Sequence, residues 1–142
     1  MRLFLPLLLL TACQRPEPNY IDAQIQPYVE KFASKYGQIM PKIQVYFGNI
    51  QPRAGQCSIK RDRFKQIISR EIIIDNYHWA QDAWVLRKAT VWHELGHCVL
   101  MRGHEPGGSL SYMAEYFGQP SEIDDLEFIG ANEIILDNEL FK

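Results

Sequence analysis

The feature that most constrains this chain is a His-Glu-x-x-His motif that starts at His93 and ends at His97, with His104 seven residues further on. Residues four apart on a helix share one face, so His93 and His97 can present two imidazoles to one ion. Glu94 projects beside that pair, where it can reach a water on the ion. Hydrolytic zinc sites need three protein ligands and one open position, and His104 is the natural third ligand. Gly103 can end the helix in the left-handed conformation and turn the chain back.

The motif and its surroundings resemble the zinc-binding consensus of the metzincin metallopeptidases. Ser111-Tyr112-Met113 follows the third histidine and is similar to the methionine turn beneath the metal in that family. The resemblance is to small bacterial members and covers about residues 82–113 in detail. It implies a zinc held by the three histidines, with Met113 as a packed floor and not as a ligand.

The spacing of the third histidine departs from the family pattern by one residue. His104 lies seven residues after His97, where the family has six, and Leu100 stands at the usual glycine position. Either the helix runs about one turn longer or the turn carries one extra residue. The alternative third ligand is a downstream carboxylate, Glu115 or Glu122, as in the gluzincin peptidases.

The clustering of histidines argues against a chance His-x-x-x-His pair on a half-buried helix face. The chain has 4 histidines, and three of them fall in this one segment. The fourth, His78, is predicted to lie in a loop and not to bind metal. The motif therefore favours a catalytic metal site.

The pattern predicts peptide hydrolysis with one zinc per chain and a peptide or protein as substrate. Zinc lowers the pKa of a bound water towards neutrality, and Glu94 takes the proton as general base and passes it to the leaving amine. Tyr112 and Tyr116 can stabilise an oxyanion or form pocket wall. A second interpretation is a non-enzymatic zinc-binding lipoprotein, although a structural metal site has no need of Glu94.

The N-terminus carries a targeting signal. A positive residue precedes the apolar run Leu3–Leu10, which is too short to span a bilayer and indicates a secretory signal. Leu10-Thr11-Ala12-Cys13 resembles a bacterial lipobox, which implies removal of residues 1–12 and lipidation of Cys13. The alternative is an ordinary signal peptide that leaves Cys13 as a free thiol.

The mature chain is predicted to be one lipid-anchored domain. Residues 13–19 form the lipidated cysteine and a tether, and residues 20–142 form a metallopeptidase-like domain. Gln14 is not an acidic retention signal, which favours the outer membrane of the bacterial cell envelope. The net charge of −2 argues against nucleic-acid binding. We expect a monomer.

Hydrophobic periodicity predicts the helices and strands of an α+β fold. The family resemblance implies that this fold is zincin-like or metzincin-like, with a small mixed β-sheet packed on a central active-site helix. Gly96 predicts close approach of a neighbouring element to that helix. Arg87 and Lys88 are charged, so the beginning of that helix should be exposed to solvent. The first expected element is an N-terminal helix over residues 20–36, with a first turn and then a main helix from about Gln26 to Tyr36 that Gly37 closes. The other expected elements are strands near 43–47, 56–59 and 66–74 with a hairpin tip at 60–65, the active helix from about Ala83 to Arg102 capped by Asp82, and a C-terminal helix from Ser121 that residues 130–132 can interrupt.

The cysteine count predicts one disulfide. Lipidation of Cys13 leaves Cys57 and Cys98 as an even pair in an oxidising compartment. A bridge between them would pin a strand to the active helix. Cys98 points about 100° away from His97 around the helix, so it faces away from the metal ligands. A buried free thiol is the alternative.

Overall fold

A computed structural model describes residues 19–106, 111–114 and 123–142. In that part of the chain the protein is a mixed α+β fold with a three-stranded sheet and four helices, which confirms the expected fold class at that level. In chain order the elements are α1 (Gln26–Tyr36), β1 (Gln44–Gly48), β2 (Gly55–Arg61), β3 (Ile67–Asp75), α2 (Asn76–Gln81), α3 (Trp84–Cys98) and α4 (Ile123–Leu140).

Several predicted features lie outside the described residues. These are the signal and lipobox with Cys13, and the side chains of Glu115, Tyr116 and Glu122. Within the described residues, no helix combines the length and the apolar character needed to cross a membrane.

The sheet places β3 between its two neighbours. Strand β1 runs parallel to β3 and β2 runs antiparallel to it, so that Val45 and Cys57 flank Ile72. The hairpin between β2 and β3 is closed by Asp62, whose carboxylate accepts backbone N–H groups two and four residues on. All three predicted strands are confirmed, and β2 lies at an edge of the sheet.

Helix α1 has the ends that its sequence predicts. Pro27 stands in the first turn, where its missing N–H costs nothing. Gly37 ends the helix with a left-handed φ of 67°, and its N–H donates to the Ala33 carbonyl. The helix buries Val29 and Phe32 against the core.

Helix α3 is the centre of the molecule, as its apolar character predicts. It packs against α1, α4, β2 and β3. Trp92 is fully buried in it and meets the Phe32 ring edge-on with centroids 5.6 Å apart. The Trp92 indole N–H donates to the Tyr28 carbonyl at 3.1 Å, which satisfies the one polar atom that this ring buries.

Helix α3 begins one residue later than predicted, and the predicted cap at Asp82 is wrong. Asp82 ends α2, where its N–H donates to the His78 carbonyl, and Ala83 precedes α3 without a side-chain cap. Helix α2 itself was not predicted. It begins because the Asp75 carboxylate accepts the Tyr77 N–H, and it makes His78 a buried helical residue and not a loop residue.

The end of α3 also differs from the prediction. The helix stops at Cys98 and does not reach Arg102, so the extra residue lies in the turn. Met101, with φ of 59°, takes the left-handed conformation that was expected of Gly103. A disulfide joins Cys98 to β2. The Cys98 carbonyl also accepts a hydrogen bond from Arg70 Nε at 2.9 Å.

Helix α4 continues through residues 130–132, so the expected interruption is wrong. The predicted exposure of Lys88 is also wrong, since this side chain is 2% exposed. Its ammonium lies 2.5 Å from a Glu133 oxygen and 2.6 Å from an Asp137 oxygen, both on α4. It also lies 4.2 Å from the centre of the Trp92 ring. The acids of α4 thus make burial of this charge feasible.

Candidate metal centre

Three histidines converge on one point, as the motif predicts. The Nε2 atoms of His93 and His97 are 3.0 Å apart, and that of His104 lies 3.2 Å from the first and 3.1 Å from the second. Helix α3 supplies two of them and the following turn supplies the third. His93, His97 and His104 therefore form a group that could hold a metal ion.

The two helix histidines are held in one orientation by backbone carbonyls. Nδ1–H of His93 donates to the Tyr112 carbonyl at 2.6 Å, and Nδ1–H of His97 donates to the Arg102 carbonyl at 2.7 Å. A neutral imidazole that donates through Nδ1 has only a lone pair on Nε2. Two lone pairs thus face each other at 3.0 Å. Such an arrangement repels itself unless a cation lies between the rings.

The turn after α3 contains His104 and is hydrogen-bonded to the turn that contains Met113. The Glu105 N–H donates to the Met113 carbonyl at 2.7 Å, and Glu105 pairs with Ala114 in a short parallel bridge. Arg102 reaches across this turn to form an ion pair with Glu105. The third histidine is therefore held between two anchored residues.

Met113 is a packed core residue that lies against α3 at Gly96, and its predicted role as the floor of a metal site stays a prediction. It is 0% exposed, and its Sδ occupies the space where a β-carbon on Gly96 would stand. The close approach predicted at Gly96 is thus confirmed, and the methionine turn is the element that makes it. Met113 N–H donates to the Ser111 hydroxyl at 3.1 Å, which tightens the turn.

Tyr112 does not face the histidines with its hydroxyl. The ring is fully buried, and the hydroxyl donates to Asp137 at 3.1 Å on the side of α4. The interpretation of Tyr112 as an oxyanion stabiliser is therefore wrong. Burial and the neighbouring Asp137 carboxylate raise the pKa of Tyr112 far above its usual range. The part of Tyr112 that serves the site is its carbonyl, which no side-chain pattern reveals.

Glu94 follows His93 on α3, and its side chain packs against β2. It is 6% exposed, and burial raises its pKa to about 7, although the N–H of Cys57 and the cation of Arg53 favour the carboxylate. A β-carbon on Gly55 would meet the Glu94 side chain. The acid is therefore close-packed, and its pKa suits proton exchange near neutral pH.

Burial also sets the charge of the helix histidines. It lowers the pKa of His93 to about 4 and that of His97 below its usual value, although the carbonyl acceptors favour the protonated rings. Both rings are therefore neutral at pH 7, which is the form that binds a metal ion.

The predicted disulfide between Cys57 and Cys98 is present. It joins β2 to the last residue of α3, with Cα atoms 5.7 Å apart. Cys57 contributes its N–H to Glu94, and Cys98 follows His97 directly. The bridge thus fixes the strand that contacts the acid to the helix that carries the histidines.

A solvent-open hollow of about 520 Å³ adjoins His97. Its walls combine the disulfide, aliphatic side chains and the turn after α3. The residues that line it are Cys57, Ile59, His97, Met101, Arg102 and Gly103. Met101 is 47% exposed and presents its thioether side chain to this space.

No protein-family model, curated protein or solved structure matches this chain.

Proposed function

We propose that this protein is a zinc-dependent metalloendopeptidase. The observation that carries the proposal is the convergence of three imidazole Nε2 atoms, two of them fixed as lone-pair donors, beside the buried acid Glu94. The three Nε2 separations of 3.0, 3.1 and 3.2 Å compare well with the tetrahedral edge. That edge is about 3.3 Å for zinc–nitrogen bonds of 2.0–2.1 Å. The resemblance to metzincins agrees with this reading.

The residues of the site divide the chemistry between them. His93, His97 and His104 would hold the ion, which when bound would acidify a water and polarise a scissile carbonyl. Glu94 takes the proton of the attacking water and transfers it to the leaving amine. Burial raises the pKa of Glu94 to about 7 in the metal-free protein, and a bound cation would lower it again, which favours the carboxylate that acts as the base.

The edge strand β2 supports binding of a peptide in extended form. The family resemblance implies substrate pairing with a strand of this sheet, and such pairing supplies affinity through main-chain hydrogen bonds. Strand β3 is central and has both edges paired, whereas β2 is an edge strand that also borders Glu94. The hollow beside His97 continues from this edge. Its Ile59 and Met101 walls suit an apolar substrate side chain.

The lipid anchor stays part of the proposal on sequence grounds. Leu10-Thr11-Ala12-Cys13 is the segment that supports it. The wild type should incorporate labelled fatty acid in cells, and Cys13→Ser should not. Equal labelling of the two proteins, or none in the wild type, would remove the anchor from the proposal.

The deciding experiment combines zinc analysis with hydrolysis of an unfolded protein. The wild type should bind about one zinc per chain and cleave the substrate. Glu94→Gln should retain zinc and lose at least about 100-fold in turnover, because a general base contributes that much. Glu30→Gln, an exposed acid on α1, is the matched control and should remain fully active.

Replacement of His104 tests the ligand set separately. His104→Ala should lose zinc or bind it much more weakly, because two imidazoles remain. Full zinc affinity in this variant would mean that the third zinc ligand is a carboxylate, as in the gluzincins. Normal turnover by zinc-loaded Glu94→Gln would overturn the mechanism. A zinc-loaded wild type that is inert on unfolded and peptide substrates would favour a binding protein.

A further inference from the structure

His93 and His97 each donate to a backbone carbonyl, and the two residues that own these carbonyls both bind α4 with their side chains. His93 donates to the Tyr112 carbonyl, and His97 donates to the Arg102 carbonyl. Tyr112 belongs to the methionine turn and Arg102 to the turn that leads to His104. The side chains of both residues end on α4.

The first connection runs through the Arg102 guanidinium. Its Nη1 donates to the Glu139 carbonyl at 2.8 Å and to the Leu140 carbonyl at 2.9 Å. Carbonyls in the last turn of a helix have no partner within the helix, and a cation there also interacts favourably with the helix dipole. Arg102 thereby caps α4 with its side chain while its backbone holds His97.

The second connection runs through the Tyr112 hydroxyl. It donates at 3.1 Å to Asp137, a buried acid of α4 that also lies 2.6 Å from the Lys88 ammonium. The Tyr112 ring meets the Trp92 ring with centroids 5.6 Å apart. The Tyr112 ring is thus held by its hydroxyl and by its contact with Trp92, which restricts the position of the Tyr112 carbonyl.

We propose that α4 is the supporting element of the metal centre, and that Arg102 and Tyr112 are positioning residues that aim His97 and His93 respectively. This inference rests on the proposed function only in that the histidines receive a metal ion. Partners that orient metal-ligating histidines affect metal affinity by about 10- to 100-fold. Arg102 and Tyr112 act one contact further out, through their own carbonyls, so we expect the lower end of that range.

The first test needs no metal and distinguishes the connection from Arg102 to His97 from the connection from Tyr112 to His93. In the metal-free protein, the hydrogen-bonded Nδ1 protons of His93 and His97 should give two separate downfield NMR signals. Arg102→Ala should increase the exchange of the His97 proton with water by about 10-fold or more and leave the His93 proton protected. Tyr112→Phe should have the converse effect. Equal effects of either variant on both protons, or no effect, would overturn the assignment of one residue to one histidine.

The second test is zinc affinity, measured by competition with a chromophoric chelator. Arg102→Ala and Tyr112→Phe should each bind zinc about 10-fold more weakly than wild type. Arg102→Lys can still donate to the helix-terminal carbonyls and should recover most of the affinity. The visible spectrum of the cobalt-substituted protein should shift in both weakened variants, because ligand orientation changes.

Val29→Ala is the control for general destabilisation. Val29 is buried on α1 and contacts neither carbonyl, so its truncation should lower Tm and leave zinc affinity unchanged. Zinc affinities within about threefold of wild type in both Arg102→Ala and Tyr112→Phe, with a lowered Tm, would make both residues merely structural. A protein that binds zinc but cleaves no peptide would refute the proposed function and leave both tests of this inference intact.

Discussion

Gly55 and Glu94 share one space, because a β-carbon on Gly55 would lie 2.7 Å from Cγ and 2.8 Å from Oε1 of Glu94. Strand β2 therefore meets the acid with its backbone. The next residue but one, Cys57, donates its N–H to the same carboxylate. Any side chain at position 55 has to displace the acid or the strand.

Gly55→Ala should impair turnover and spare the metal. Displacement of a reacting group by about 1 Å can cost about 100-fold in rate, and we expect a loss of that order in kcat/KM with one zinc still bound. Ser58→Ala is the control, because alternation along β2 places Ser58 on the opposite face from Gly55. Full turnover of Gly55→Ala would mean that Glu94 needs no fixed position.

Gly96→Ala should destabilise the protein despite a gain in helix propensity. Alanine favours the helix by about 1 kcal/mol, but its β-carbon would occupy the place of Met113 Sδ, and overpacking costs about 1–3 kcal/mol. In a Met113→Ala background the nearest atom left to a β-carbon at position 96 among the described residues is Leu140 Cδ1 at 3.3 Å, so the same change should stabilise by up to about 1 kcal/mol. Urea unfolding of the four proteins checks the change of sign. If Gly96→Ala changed the free energy of unfolding in the same direction in both backgrounds, Met113 would not be the residue that excludes a side chain at position 96.

Removal of the disulfide should lower the free energy of unfolding by about 4 kcal/mol, the chain-entropy value for residues 41 apart in sequence. The variant is Cys57→Ala with Cys98→Ala, and the measurement is urea unfolding. A phosphine reductant should destabilise the wild type by a similar amount and leave the double variant unchanged. An unchanged midpoint in reduced wild type would contradict the stabilising role of the bridge.

The metal-free protein should show opposed pH effects from two neighbouring residues. The pKa of His93 falls from 6.5 to about 4 on folding, so the unfolded state binds more protons in that window and acidification destabilises. The pKa of Glu94 rises from 4.5 to about 7, so the folded state binds more protons and acidification stabilises. The two effects largely cancel between about pH 5 and 6.5.

Metal-free Glu94→Gln should reveal the histidine effect alone. Its free energy of unfolding should fall with decreasing pH more steeply than that of wild type, by about 1.4 kcal/mol per pH unit between pH 5 and 6.5. Denaturant titrations at several pH values provide the comparison. Parallel curves for the two proteins would show that Glu94 does not take up a proton on folding.

Local sequence patterns were sufficient where the structure depends on neighbours in the chain. Pro27 and Gly37 mark the ends of α1, and alternation of apolar residues marks the strands. The His-Glu-x-x-His spacing brings His93 and His97 together because helical geometry alone decides it. The disulfide partners followed from the cysteine count together with the predicted export of the chain.

Long-range contacts account for the features that the sequence did not predict. Lys88 is buried because Glu133 and Asp137, more than 40 residues further on, neutralise it. Helix α3 ends at Cys98, where Arg70 from β3 donates to the Cys98 carbonyl and the disulfide joins the residue to β2. No periodicity within α3 records these partners.

The anchoring of Arg102 and Tyr112 on α4 has a consequence for the order of events during synthesis. All three histidines are synthesised before Asp137 and the final turn of α4. The chain therefore contains the proposed ligands before it contains the residues that would orient them. On this proposal the site can reach its finished shape only after α4 has packed against the turns that carry Arg102 and Tyr112.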